Sequence, residues 1–153
     1  MGAFMPLIPI MLVEDDQGHL LLIRENLRSA GVVNEIIEMP DGQQALEYLC
    51  HRGPYREAAH HPLPGLILLD IKMPVVDGFA FLERIKADPT LRGIPVLMMT
   101  STDDPLEINR SYRLGASGYI VKPVRYEEFQ QRVQALGLFL DMVRFPTEQG
   151  SHQ

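Results

Sequence analysis

Short apolar runs alternate with amphipathic stretches along most of this chain. The apolar runs show no alternation of polar and apolar residues, which is typical of strands buried on both faces of a sheet. The stretches between them repeat apolar residues every three or four positions, which predicts helices with one buried face. The predicted strands are 8–13, 34–39, 66–70, 94–100 and 119–121, and the predicted helices pass through 20–30, 45–49, 79–85, about 104–114 and about 126–143.

Five successive strand-then-helix units predict an α/β fold, a doubly wound five-stranded parallel sheet covered by helices on both faces. In sheets of this kind, ligands bind at the carboxyl ends of the strands, near the point where the strand order reverses. Periodicity leaves the strand order itself open. The polar residues that lie at predicted strand ends are Glu14, Asp15, Asp70, Thr100 and Lys122.

Two of the apolar runs end in carboxylates. Residues 10–13 lead into Glu14 and Asp15, and residues 66–69 lead into Asp70. If the two strands bring these groups to one edge of the sheet, the carboxylates repel each other at neutral pH and require a cation or a proton. Carboxylate oxygens are hard ligands that suit Mg²⁺, which takes one or two of them from a protein and keeps several waters. The pattern therefore predicts a magnesium site at this edge.

An aspartate after a strand can instead cap the following helix by accepting a backbone hydrogen bond. This is the preferred interpretation for Asp16, which stands directly before a predicted helix. It is disfavoured for Asp70, because the next predicted helix begins only after Pro74 and Gly78. Asp41 is also predicted to cap a helix.

Composition narrows the class of protein. The 153 residues suit one domain over 8–143, with an N-terminal extension at 1–7 and a tail at 144–153. A net charge of −6, with 14 scattered Lys and Arg, argues against a nucleic-acid partner. The single cysteine, Cys50, excludes an internal disulfide and fits a reducing compartment. No apolar run approaches the roughly 18 residues of a membrane span, so we expect a cytoplasmic protein.

The segment 51–65 is long for a connection between a helix and a strand. It contains His51, His60 and His61, which raises the possibility of a metal site. The segment has no cysteine and no pair of histidines four residues apart on a helix, so we expect solvated loop histidines instead.

Four sequence blocks resemble, in order, those of the receiver domains of two-component response regulators. They are LVEDD at 12–16, LLDIKMPVVDG at 68–78, PVLMMTS at 95–101 and GASGYIVKP at 115–123. Each block is weak evidence when taken alone, but four in register are specific, and the likeness extends over about 8–140. The resemblance implies a flavodoxin-like (βα)5 receiver fold.

The resemblance also implies roles for individual residues. Asp70 would be the phosphoacceptor, and Thr100 and Lys122 would assist phosphoryl transfer. Thr100 and Tyr119 would form the conformational switch. The implied ligands of Mg²⁺ are Glu14, Asp15, Asp70 and the backbone carbonyl of Lys72.

A receiver of this kind accepts its phosphoryl group from a histidine kinase, so we expect a signalling protein rather than an enzyme, with only self-catalysed phosphorylation and dephosphorylation. Two alternatives stay open. An aspartate-nucleophile phosphatase needs a carboxylic acid two residues after the nucleophile, where this chain has Lys72. A receiver-like interaction module would never be phosphorylated.

The last predicted helix carries two apolar stripes, of which the sheet can cover one. The second stripe predicts a homodimer, in preference to a last helix that simply wraps onto the core. The predicted interface residues are Phe129, Leu136, Leu138, Phe139, Leu140 and Met142. This helix, the long segment 51–65 and the run 111–114 resemble those of small regulators that accompany phytochrome-type histidine kinases.

Overall fold

The computed structural model describes residues 8–29, 31–101 and 104–121. Within these ranges the strands are β1 (Ile10–Val13), β2 (Ile36–Met39), β3 (Leu66–Asp70), β4 (Val96–Thr100) and β5 (Gly118–Val121). The α-helices are α1 (Gln17–Ser29), α2 (Gly42–Leu49), α3 (Gly78–Ala87) and α4 (Pro105–Arg113). Lys122, the predicted last helix and its interface residues, and both terminal segments lie outside the described residues. No helix in the described ranges is long and apolar enough to cross a membrane.

All five strands are parallel, in the order β2-β1-β3-β4-β5. The predicted five-stranded parallel sheet is therefore confirmed. From β1 the chain passes to β2 on one side and then crosses to β3 on the other, so the strand order reverses between β1 and β3. The carboxyl ends of these two strands form the crevice where such sheets bind ligands.

Successive residues of the central strands face opposite sides of the sheet, and both sides are covered. Leu12 and Leu68 belong to one buried cluster together with residues of α1, including Ile23. Val13 and Leu69 belong to a second buried cluster, which contains residues of α2 and α3. The residues on both faces of these strands are therefore buried, which explains why the central strands are continuous apolar runs in the sequence.

The predicted helix caps at Asp16 and Asp41 are confirmed. Asp16 Oδ1 accepts a hydrogen bond from the His19 backbone at 3.0 Å, and Asp41 Oδ1 accepts one from Gln44 at 2.7 Å. Helix α3 is capped by Asp77, which accepts from the Ala80 backbone at 2.8 Å. The capping role disfavoured for Asp70 is thus filled by another residue.

Three strands begin later than predicted, and in two of them the predicted start includes a proline. Strand β1 begins at Ile10 rather than at residue 8, and β4 begins at Val96 rather than at residue 94. Pro9 and Pro95 accept sheet-like hydrogen bonds through their carbonyls, from Gly65 at 2.9 Å and from Ile67 at 3.0 Å. They lack the N–H that would complete the ladder. Strand β2 also starts late, at residue 36 rather than 34.

The long segment 51–65 is ordered by short helical turns and aromatic contacts. It contains two 3-10 turns, Gly53–Tyr55 and Ala58–His60. The rings of Tyr48, Tyr55 and His61 pack against one another with centroids 5.2 to 5.5 Å apart. His60 is exposed, as expected, whereas His61 is only partly exposed. Within the described residues the histidines of this segment join no group of metal ligands.

Candidate functional site

The carboxylates of Glu14, Asp15 and Asp70 meet at the carboxyl end of the sheet. Strands β1 and β3 are neighbours in register, with Val13 opposite Leu69, so the acidic residues that end the two strands lie side by side. Their ligand oxygens all lie within 4.8 Å of one another. The structure therefore brings together the three side chains that the sequence predicted as a metal site.

Two of the three carboxylates are buried, so repulsion among them raises the free energy of the folded state. Glu14 is 2% exposed and Asp70 is 8% exposed, whereas Asp15 is exposed to solvent. Two ionised carboxylates 4.8 Å apart repel each other by about 3.5 kcal/mol at an effective dielectric constant of about 20. A divalent cation offsets this repulsion, and oxygen ligands of this type suit Mg²⁺. The exposed Asp15 leaves a path for an ion to enter from solvent.

Thr100 contributes a buried hydroxyl at the same edge of the sheet. It is the last residue of β4, one position beyond Met99, which pairs with Asp70. The side chain is 0% exposed, and within the part of the chain that the structure describes Oγ1 has no hydrogen-bond partner. An unsatisfied buried hydroxyl typically costs about 1–3 kcal/mol. This donor is therefore available to an anionic group beside the carboxylates, and the set of donors fits a divalent cation together with a phosphoryl oxygen.

Gly78 allows α3 to begin directly against the backbone of Asp70. The Gly78 N–H donates to the carbonyl of Ile71 at 2.8 Å. A Cβ at Gly78 would lie 2.5 Å from the carbonyl oxygen of Asp70 and 2.7 Å from Cα of Ile71, distances that side chains do not occupy. Any side chain at this position would therefore force the start of α3 away from the backbone of Asp70.

The loop between Asp70 and α3 is strained. Val75 has φ +67° and is 96% exposed, and the Val76 N–H donates to the carbonyl of Pro74 at 2.8 Å, which closes a γ-turn. A β-branched residue rarely adopts this conformation. The turn persists because its neighbours fix it, since Val76 is buried and its carbonyl would lie 2.7 Å from a Cβ at Gly42. Strain of this kind is common at functional sites.

The remaining predicted site residues lie around this edge or beyond the described ranges. Lys72 is exposed in the loop after Asp70. Tyr119 lies on β5, where it is half-buried against the core. Lys122 directly follows β5 in the sequence, but it is outside the described residues.

One residue at the site was missed from the sequence, namely His19. Its Nδ1 lies 3.0 Å from Oε1 of Glu14, and its backbone N–H bonds to Asp16. The cap at Asp16 places His19 at the third helical position, from which side chains commonly reach back across the start of a helix. The distance of three residues between the cap Asp16 and His19 is therefore the sequence pattern that could have indicated this contact.

The chain is similar in sequence to a known family and to proteins of known identity. The family model described as the response regulator receiver domain matches residues 10–134. The response regulator Rcp1 of Synechocystis sp. is 33% identical over 138 residues, which are 90% of this chain and 92% of that protein. The probable methanogenesis regulatory protein FilR2 of Methanothrix harundinacea is 34% identical over 128 residues, 83% of this chain and 79% of that protein.

Solved structures of similar proteins share the fold. The Mn²⁺-bound form of Rcp1 superposes with a TM-score of 0.84 at 32% identity, covering 92% of this chain and 99% of that one. The phosphorylated cyanobacterial phytochrome response regulator RcpA superposes with a TM-score of 0.83 at 35% identity, with the same coverage of both chains. Both relatives are response regulators of nearly the same length as this chain.

Proposed function

Because this chain belongs to the response regulator receiver family, we propose that it accepts a phosphoryl group from a histidine kinase on Asp70, with Mg²⁺ bound beside that residue. Regulators of this family are signalling proteins rather than conventional enzymes. Receiver domains generally bind Mg²⁺ at an acidic site, and a histidine kinase is the partner that the family implies. The observation that carries the proposal is the convergence of Glu14, Asp15 and Asp70 within 4.8 Å.

In the proposed reaction a carboxylate oxygen of Asp70 attacks the phosphorus of a phosphohistidine. The new P–O bond forms as the P–N bond breaks, and the imidazole of the kinase leaves with its electron pair. Mg²⁺, when bound, offsets the negative charge of the phosphoryl oxygens and the carboxylates. The residues proposed to hold it are Glu14, Asp15, Asp70 and the backbone carbonyl of Lys72.

Two further residues are proposed to contact the phosphoryl group. The buried hydroxyl of Thr100, which has no partner among the described residues, donates a hydrogen bond to one of its oxygens. The ammonium group of Lys122 offsets part of its charge, a role that rests on the family resemblance and on the position of this residue directly after β5.

The signal is proposed to begin at Thr100. Phosphorylation adds about 1.5 to 2 negative charges at Asp70. The Thr100 hydroxyl then turns to this group, and the half-buried ring of Tyr119 on the neighbouring strand β5 moves into the space. The surface formed by α4 and β5 repacks, so that one charge biases a two-state element.

We further propose homodimerisation through the apolar pattern of residues 129–143, and a phytochrome-type histidine kinase as the partner. The first proposal rests on the sequence pattern alone. The second is supported by the likeness to RcpA, which is described as a phytochrome response regulator.

The test is Mg²⁺-dependent phosphorylation by acetyl phosphate, followed by intact-protein mass spectrometry. We expect a single added phosphoryl group in the wild-type protein, which is lost in Asp70→Asn and in the presence of EDTA. Asp77→Asn is the matched control, because Asp77 is a nearby exposed aspartate that caps α3. Sedimentation velocity with and without beryllofluoride reports on association in the same samples.

Phosphorylation that persists in Asp70→Asn would contradict the assignment of the acceptor. A wild-type protein that takes up no phosphate would instead support an interaction module that is never phosphorylated. A sedimentation coefficient of a monomer under both conditions would reject the proposed dimer.

A further inference from the structure

We propose that His19 is a positioning residue that holds the carboxylate of Glu14 in place for the divalent cation. This inference rests on the proposed function and adds a residue that neither the sequence pattern nor the family motif assigns. Its basis is the contact of 3.0 Å between His19 Nδ1 and Glu14 Oε1. The histidine is 49% exposed, whereas the glutamate is 2% exposed.

The two partners are anchored on different elements. Glu14 follows β1, and its backbone N–H donates to the carbonyl of Met39 at 3.1 Å, which ties it to the neighbouring strand β2. His19 lies in the first turn of α1, where its backbone N–H donates to Asp16 at 3.0 Å. The imidazole therefore joins the end of a strand to the start of a helix, and the anchored backbones limit the positions that the carboxylate can adopt.

A buried glutamate in this position requires such a restraint. Its side chain has several rotatable bonds, and repulsion from Asp15 and Asp70 favours rotamers that turn its oxygens away from the cluster. A ring N–H that donates to Oε1 opposes this rotation and keeps a carboxylate oxygen within 4.8 Å of the other ligands. Hydrogen-bond partners that orient metal ligands typically contribute a factor of 10–100 in metal affinity.

The experiment measures Mg²⁺ binding by isothermal titration of the full chain at one buffer pH. His19→Leu removes the donor while keeping a side chain of similar size, and His19→Gln retains an N–H that can reach the carboxylate. His60→Leu is the matched control, because His60 is an exposed histidine that pairs with Glu57 at 2.8 Å in a different part of the chain. We expect His19→Leu to raise the Kd for Mg²⁺ about tenfold, with partial recovery in His19→Gln and no change in His60→Leu.

A second readout separates positioning from a general structural role. The rate of phosphorylation by acetyl phosphate is measured against Mg²⁺ concentration, and unfolding is measured in EDTA. We expect His19→Leu to raise the Mg²⁺ concentration that gives half of the maximal phosphorylation rate and to change the maximal rate itself little.

Three outcomes would overturn the inference. The first is an unchanged Kd in His19→Leu. The second is an equal loss of affinity in His19→Gln and His19→Leu together with an equal loss of stability in EDTA, which is the behaviour of a structural residue. The third, a wild-type protein that binds no Mg²⁺, would overturn the proposed function as well, so the two failures are distinguishable.

Discussion

Replacement of Thr100 by valine is expected to stabilise the fold and to weaken phosphorylation. Thr100 is 0% exposed and, among residues 8–29, 31–101 and 104–121, its Oγ1 finds no hydrogen-bond partner, so folding removes the hydroxyl from water without a replacement hydrogen bond from this part of the chain. Valine has nearly the same shape and carries a methyl group in place of the hydroxyl. The substitution therefore removes a penalty of the folded state.

The expected magnitude follows from two contributions. An unsatisfied buried hydroxyl costs about 1–3 kcal/mol, and burial of one additional carbon contributes about 0.8 kcal/mol. Together they raise the expected free energy of unfolding of Thr100→Val by about 2–4 kcal/mol. For a domain of this size, even an increase of about 2 kcal/mol raises Tm by about 4–8 °C.

The assay is urea unfolding followed by circular dichroism, in EDTA, with Thr100→Ser as the matched control. Serine keeps the hydroxyl and loses a buried methyl group, so we expect its free energy of unfolding to fall by about 1 kcal/mol. The two variants should thus differ from the wild-type protein in opposite directions, with similar m-values. A Thr100→Val protein that is less stable than the wild type would show that the hydroxyl is hydrogen-bonded, and the reasoning would fail.

The same pair of variants tests the function. In the proposed mechanism the Thr100 hydroxyl donates to a phosphoryl oxygen. We therefore expect Thr100→Val to be phosphorylated by acetyl phosphate about tenfold more slowly, and Thr100→Ser to remain close to the wild-type protein. Equal rates in all three proteins would remove Thr100 from the site.

Two other predictions concern the support of the site and the long segment 51–65. Gly78→Ala should lower the free energy of unfolding by about 2 kcal/mol or more in urea, because its Cβ would lie 2.5 Å from the carbonyl oxygen of Asp70. Gly93→Ala should be neutral, because its Cβ would meet no described residue within 4 Å, and equal losses in the two variants would contradict the close approach. The pKa of Tyr48 is raised from 10.0 to about 12, mainly by burial and secondly by the charge of Glu35. This hydroxyl donates to the carbonyl of Pro62, so its stabilising contribution is present below pH 10 and is lost as pH rises towards 12. Tyr48→Phe should flatten the alkaline loss of stability in urea titrations, and identical slopes would refute the assignment.

Several features of the fold were predictable because they depend on neighbours in the sequence. The continuous apolar runs at 10–13 and 66–69 indicated strands buried on both faces, and the structure has them there. Asp16 and Asp41 were recognisable as caps because a cap bonds to a backbone N–H within three residues. Pro9 and Pro95, which shorten β1 and β4, are also visible in the sequence. The strand residues that would pair with their missing N–H groups lie far away in the chain, so the effect of each proline on the ladder is not visible locally.

The strand order was not predictable from periodicity, because several orders of five parallel strands bury the same residues equally well. The order settles which strand ends meet, and hence whether the carboxylates of β1 and β3 form one site. It is also the reason that Thr100 lies beside Asp70 at this edge, since β4 is the neighbour of β3. The contact between His19 and Glu14 depends on where the start of α1 lies relative to the end of β1.

Local pattern and residue chemistry thus identified the strands, the helix caps and the acidic side chains at the strand ends. Long-range packing established which of those side chains meet and how deeply Glu14 and Asp70 are buried. It also leaves the Thr100 hydroxyl without a partner among the residues that the structure describes. The physical reason is that propensity and periodicity act over a few residues. Burial and hydrogen-bond satisfaction depend on neighbours that the chain supplies from tens of residues away.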